Sequence, residues 1–167
     1  RSSDLVNEIT TVADVAGSLN STYFEIGSST VNYYVWYNVN SAGVDPAVPG
    51  ATGIEVALAT GATAIQVAGA TAIAMSLVGG AGVVFDASSA DDLITVVNAV
   101  PGVSGDAIDG TAATGFTFNT VTQGAATTLD GKYFLISSPS VDYYVWFTVG
   151  GEGADPAVAL RTGVQVD

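Results

Sequence analysis

Tyr33-Tyr34-Val35-Trp36-Tyr37-Asn38-Val39 is the stretch from which the fold is read. Successive side chains of a strand leave opposite faces. One face here carries Tyr33, Val35, Tyr37 and Val39, the other Tyr34 and Trp36. Both faces are apolar, which predicts a central strand covered on both sides. The same stretch returns as Tyr143-Tyr144-Val145-Trp146-Phe147-Thr148-Val149.

Working outward, residues 18–57 align with 128–167 without a gap, 110 positions apart, with 19 identities in 40. Tyr23-Phe24 matches Tyr133-Phe134, Asp45-Pro46-Ala47-Val48 matches Asp155-Pro156-Ala157-Val158, and Thr52-Gly53 matches Thr162-Gly163. Self-similarity at this level marks a repeated structural module. Twelve of the 15 aromatic residues lie inside the two copies. The repeat therefore holds most of the bulky core material, with Tyr33, Tyr34, Trp36, Phe134, Tyr143, Tyr144 and Trp146 as the expected core and assembly residues.

Punctuation by turn residues divides one unit into elements. Strands are expected at 20–27, 31–39 and 54–58, with residues 40–53 as a loop. Residues 62–77 are Ala-rich, with Ile65, Ala68, Ala72 and Met75 at helical spacing, and predict a helix stopped by Gly79-Gly80. Val83-Val84-Phe85 reads as a strand. In 92–98 a capping-box pattern from Ser89 to Asp92 competes with a β-branched run, and the run favours strand. A last strand is expected at 115–122, at the repeat position of residues 5–12.

The expected fold is thus α+β and strand-dominated, a sandwich-like tandem of a β-rich repeat. Residues 1–17 form an N-terminal strand, 18–127 a full unit of three strands, a helix and two strands, and 128–167 a truncated second copy. A three-stranded sheet with an aromatic central strand leaves a face and edges uncovered, which template pairing with other chains. The half-unit either packs on the full unit or is completed by a neighbour, and the second alternative propagates into rings or filaments. Residues 1–13 are the expected donor segment, through strand addition.

The run Tyr-Tyr-Val-Trp-(Tyr/Phe)-x-Val, then Gly-x-Asp-Pro-Ala, then Thr-Gly-(Ile/Val)-x-Val, resembles a repeat module of large tailed-phage structural proteins and of bacterial or environmental extracellular structural proteins. The likeness extends to the Ala-rich helix and the Gly115-Phe116-Thr117-Phe118 strand. It implies a virion or cell-surface structural role, with no catalytic residues to carry over.

Composition narrows the function classes. Sixteen acidic residues face only three cationic ones, for a net charge of −13. Nucleic-acid binding needs clustered Lys and Arg to displace counterions, and an anionic membrane surface needs a polybasic patch, so both are excluded. The apolar run at 62–84 is interrupted by Gly, Thr, Gln and Ser, so membrane insertion is not expected. Charged residues are 11% of the chain against 49% hydrophobic, a balance that fits a Ser/Thr/Gly-covered extracellular or virion surface, or one hidden against sister subunits. Arg1 in place of Met suggests a processed or truncated N-terminus, the former in keeping with export or maturation.

Histidine and cysteine are absent, which removes Ser-His-Asp and Cys-His machinery and ordinary zinc sites. No enzyme activity is expected. Asp106 and Asp109, in a Gly-rich loop, are the candidate calcium ligands, and Asp45 and Asp155 recur at equivalent loop positions; the competing and favoured reading is that Asp-Pro starts a turn by bonding its own backbone. Asn20-Ser21-Thr22 is a glycosylation sequon. The expected function is a self-assembling structural subunit whose partners are copies of itself. The alternative is a carbohydrate-binding or adhesion module using the aromatics as a sugar platform.

Overall fold

The computed structural model describes residues 4–80, 82–100, 102–124, 131–148 and 154–166. They form a strand-dominated chain of three sheets and one helix, divided into two compact units, residues 3–125 and 126–167.

In the first unit β1 is Val6–Thr10, β2 Tyr23–Gly27, β3 Asn32–Val39 and β4 Thr52–Leu58. The helix α1 spans Ala64–Ser76. It is followed by β5 (Phe85–Ala90), β6 (Leu93–Asn98), the two-residue β7 (Ile108–Asp109) and β8 (Thr117–Thr122). One sheet has the order β4-β3-β2-β7, the other β5-β6-β1-β8. Buried residues of both sheets and of α1 belong to a single hydrophobic cluster, in which Phe24, Val35, Tyr37, Val67, Ala68, Met75, Phe85, Ile94 and Val96 are fully enclosed.

The β3 strand pairs antiparallel with β2 but parallel with β4, in the register Tyr33↔Thr52 through Val39↔Leu58. Parallel neighbours need a crossover of about a dozen residues or more, and residues 40–51 supply it. That crossover lies over the outer face of the sheet, where Val48 and Ala51 pack on Tyr23, Tyr34 and Trp36. Both apolar faces of β3 are therefore covered, one by the crossover and one by the main core. Tyr34 Oη donates to Asp45 Oδ1 at 2.7 Å, and the Ala47 N–H donates to the same oxygen at 2.8 Å. The bond to Asp45, then burial, raises the Tyr34 phenol above its ordinary pKa. Gly53 lies under this ring: a Cβ there would meet Tyr34 Oη at 2.6 Å, which accounts for the glycine of the Thr-Gly pair.

The helix begins with a capping box, Thr63 with Gln66, and buries Val67, Ala68, Thr71, Ala72 and Met75. Ile65, expected on the packed side, is exposed instead. The reason is that α1 is apolar nearly all round, so periodicity does not select which side meets the sheets. Thr71 is enclosed because its hydroxyl donates to Val67 O (2.8 Å) and accepts from Tyr37 Oη (2.9 Å). Burial raises the Tyr37 phenol far above its usual pKa.

Other expectations shift at their ends. Val83 and Val84 are not strand; β5 starts at Phe85, because Gly79, Gly80 and Gly82 take the chain through positive-φ turns first. The strand expected at 92–98 is β6, joined to β5 by a tight Asp91-Asp92 turn with Asp91 at φ +54°. The N-terminal segment belongs to the first unit rather than standing apart. β1 lies between β6 and β8 of its own chain, with Ile9 opposite Ile94 and Phe118, and Leu5 and Ile9 fully buried. Residues 6–10 of the expected donor segment are thus paired within their own chain.

Polar anchors hold the unit together. Asp14 accepts from the backbone N–H groups of Gly17, Leu19 and Gly61 at 2.9–3.0 Å. Burial works to raise its pKa, but these three donors outweigh it and hold the carboxyl below its ordinary value. Its stabilisation is present above the usual carboxylate pKa and is lost as pH falls through the lower folded value. Asn98, on β6, donates to Gly27 O at the end of β2 (3.1 Å) and so ties the two sheets.

The second unit contains β9 (Tyr133–Ser137), β10 (Asp142–Phe147) and β11 (Thr162–Val166) in the order β11-β10-β9. Its pairing repeats that of β2–β4 residue for residue, antiparallel Tyr143↔Ile136 and parallel Tyr143↔Thr162. The Tyr144–Asp155 hydrogen bond (2.5 Å), the Ala157 N–H to Asp155 (2.8 Å) and Gly163 under the tyrosine ring recur as well.

Candidate assembly surface

Identical positions of the two copies have opposite exposures. On the inner face of β2–β4, Phe24 is 0% and Ile26 2% exposed; their equivalents on β9, Phe134 and Ile136, are 48% and 46% exposed. Val164 and Val166 of β11 are exposed where Ile54 and Val56 are buried, and Tyr143, Val145 and Phe147 are half-buried where Tyr33, Val35 and Tyr37 are enclosed. Together these side chains make an apolar, uncharged sheet face. In the first copy the equivalent face is covered by α1 and the β5-β6-β1-β8 sheet, through contacts such as Tyr33 edge-on to Phe85 at 5.3 Å and Tyr37 edge-on to Phe116 at 5.5 Å. In the second copy Phe134 and Phe147 lie side by side on their own sheet, at 6.1 Å.

The outer face of the second copy is different. Tyr144 and Trp146, grouped with Phe134 among the expected core and assembly residues, are buried. The Tyr144–Asp155 bond raises the tyrosine and lowers the aspartate from their ordinary pKa values, each favouring Tyr–O–H donating to a carboxylate. Asp45 and Asp155 thus lock the tyrosines, and the open surface is confined to one side of the sheet plus the exposed Tyr133 and Leu135 of β9.

The remaining candidate residues are not brought together into a site. Asp109 accepts from the Thr114 N–H and hydroxyl through Oδ1 (both 2.8 Å) and from the Gly115 N–H through Oδ2 (3.3 Å). It organises its own loop. Asp106 is bonded to Gln123 (3.0 Å). Among the described residues no group of three or more acidic side chains is placed to hold a metal ion. Asn20, of the sequon, is half-buried and turned inward, its Oδ1 accepting from Val39 N–H at 3.1 Å.

Two clefts of about 570 and 580 Å³ are repeat equivalents, one at Ser138–Asp142 with Leu160–Thr162, the other at Ser28–Asn32 with Gly50. Their linings hold one carboxylate, Asp142, which is paired with Arg161 at 3.7 Å. Neither offers the two carboxylates that glycoside hydrolysis requires. Among the described residues no helix is long and apolar enough to cross a membrane.

An uncovered face on the second copy is expected from its three strands, but which side it is cannot be read, because sequence reports which residues are apolar and not which of them are covered. Comparisons with protein-family models, with curated proteins and with solved structures give no match to this chain.

Proposed function

We propose that this chain is a self-assembling structural subunit of an extracellular filament or a virion, joined to copies of itself through the inner face of β9–β11. The observation that carries the reading is the contrast between Phe24/Ile26, enclosed, and Phe134/Ile136, open, at identical positions of one repeat. An exposed contiguous apolar patch marks an interaction surface, and each half-exposed side chain still gains on the order of 1 kcal/mol when buried. The low charge density and the phage-like and extracellular-like motif support the location. In this reading the full module is sandwich-like and α+β, and β9–β11 is the first half of a second such module.

A sugar-binding role draws on the same exposed aromatics. Sugar platforms combine rings with several hydrogen-bonding groups, however, and among the described strand residues of this face Tyr143 and Thr162 alone carry one, so assembly is favoured.

Sedimentation velocity and negative-stain microscopy over a concentration series test the proposal. Wild-type chain is expected to form large, regular species, and a Phe134→Glu/Val145→Glu double variant is expected to stay monomeric. A wild-type chain that remains monomeric at the highest concentration would overturn it, and glycan-array binding by the dispersed chain would favour the adhesion role.

A further inference from the structure

We infer that the open β9–β11 face of one copy seats the outward side of α1 from the next copy, a head-to-tail contact; this rests on the assembly reading above and names its second surface. Among the described residues the outward side of α1 presents a second apolar surface. Ile65, Ile73 and Leu77 are 58%, 65% and 63% exposed, and with Gly69 they succeed one another every four residues. Residues four apart form one ridge along a helix, here about 18 Å long. That matches the roughly 17 Å length of a five-residue strand.

The ridge has a receptacle for an aromatic ring. At Gly69 a side chain would find only Ser89 Oγ, 4.0 Å away. Beside it a hollow of about 330 Å³ between α1 and β5 is lined by Gly69, Ala72, Ile73, Ser76, Leu77 and Ala87, among others. A half-exposed Phe134 is a knob of suitable size and chemistry for it.

Two further features fit this occupant. Over Ala64–Ser76 the helix carries no charged residue, and neither do the open-face positions Phe134, Ile136, Tyr143, Val145, Phe147, Val164 and Val166. Copies that each carry −13 repel except where uncharged surfaces meet. In the first copy this kind of sheet face already packs against this helix, with Tyr37 bonded to Thr71 on its inward side. The second copy has Phe147 in place of that tyrosine and requires no hydroxyl, and the outward ridge of Ile65, Gly69, Ile73 and Leu77 offers none. A contact between two different patches on one chain is heterologous and repeats without limit unless it closes into a ring.

Mixing two variants tests the contact. Ile73→Glu and Phe134→Glu alter exposed positions, and unchanged circular-dichroism melts verify that both fold. Each alone is expected to be monomeric. An equimolar mixture is expected to give a 1:1 dimer and nothing larger, because one variant keeps an intact sheet face and the other an intact helix ridge. If Ile73→Glu assembles like wild type while Phe134→Glu does not, the helix contact is wrong and the sheet faces pair with each other, leaving the assembly reading intact. If the wild-type chain itself never assembles, that reading fails and this contact with it.

Discussion

Phe24→Ala is expected to destabilise the first unit by about 3–5 kcal/mol, whereas Phe134→Ala, at the same repeat position, costs its unit less than about 1 kcal/mol. Phe24 is fully enclosed, with Phe116 and Phe118 at ring-centroid distances of 6.4 and 5.5 Å. Truncating it removes the transfer energy of the ring and leaves a cavity that a close-packed core only partly fills. Phe134 is half in water already, so the dispersed chain has little burial to lose there. The two tryptophans make the comparison direct: Trp36 is in the first unit and Trp146 in the second. Urea unfolding followed in single-tryptophan backgrounds, at concentrations where the chain is dispersed, reads each unit separately. Equal losses at the two positions would mean that the second face is covered after all.

Deleting residues 1–11 has the other large effect. The β1 strand is the inner strand between β6 and β8, so its removal strips two ladders at once, together with the buried Leu5 and Ile9. Each of those two side chains contributes roughly 1.5–3 kcal/mol by burial alone, and marginal domains hold only about 5–15 kcal/mol in total. The expected result is loss of the cooperative Trp36 unfolding transition, not merely loss of assembly. A truncated chain that keeps that transition and fails only to polymerise would restore these residues as a segment donated between copies.

Much of the architecture is legible in the residues, and where it is not the reason is physical. The aromatic strand, its two apolar faces and the 110-residue recurrence follow from alternation and identity, and β3 is indeed covered on both sides. The parallel β3–β4 pairing is not readable, because residues 40–53 look like any Gly/Pro-rich loop until one sees that they cross over the sheet and pack Val48 and Ala51 onto Trp36. Helix orientation failed at Ile65 because a helix without a polar side gives no directional signal. The N-terminal strand was recognised as a strand, but its partners β6 and β8, some 90 to 110 residues away, are set by tertiary packing. For the surface, sequence does not separate Phe134, which is half-exposed, from Tyr144 and Trp146, which are buried; Tyr144 is tied to Asp155 of the crossover.

The central claim is that burial of the β9–β11 inner face drives association, and hydrogen exchange read by mass spectrometry at low and high chain concentration tests it most directly. As assembly proceeds, exchange should slow across residues 133–147 and 162–166, while residues 23–27 and 33–37, whose inward side chains are already enclosed in the first unit, should show the same protection at both concentrations. Assemblies that form with no change in exchange across 133–147 would contradict the account.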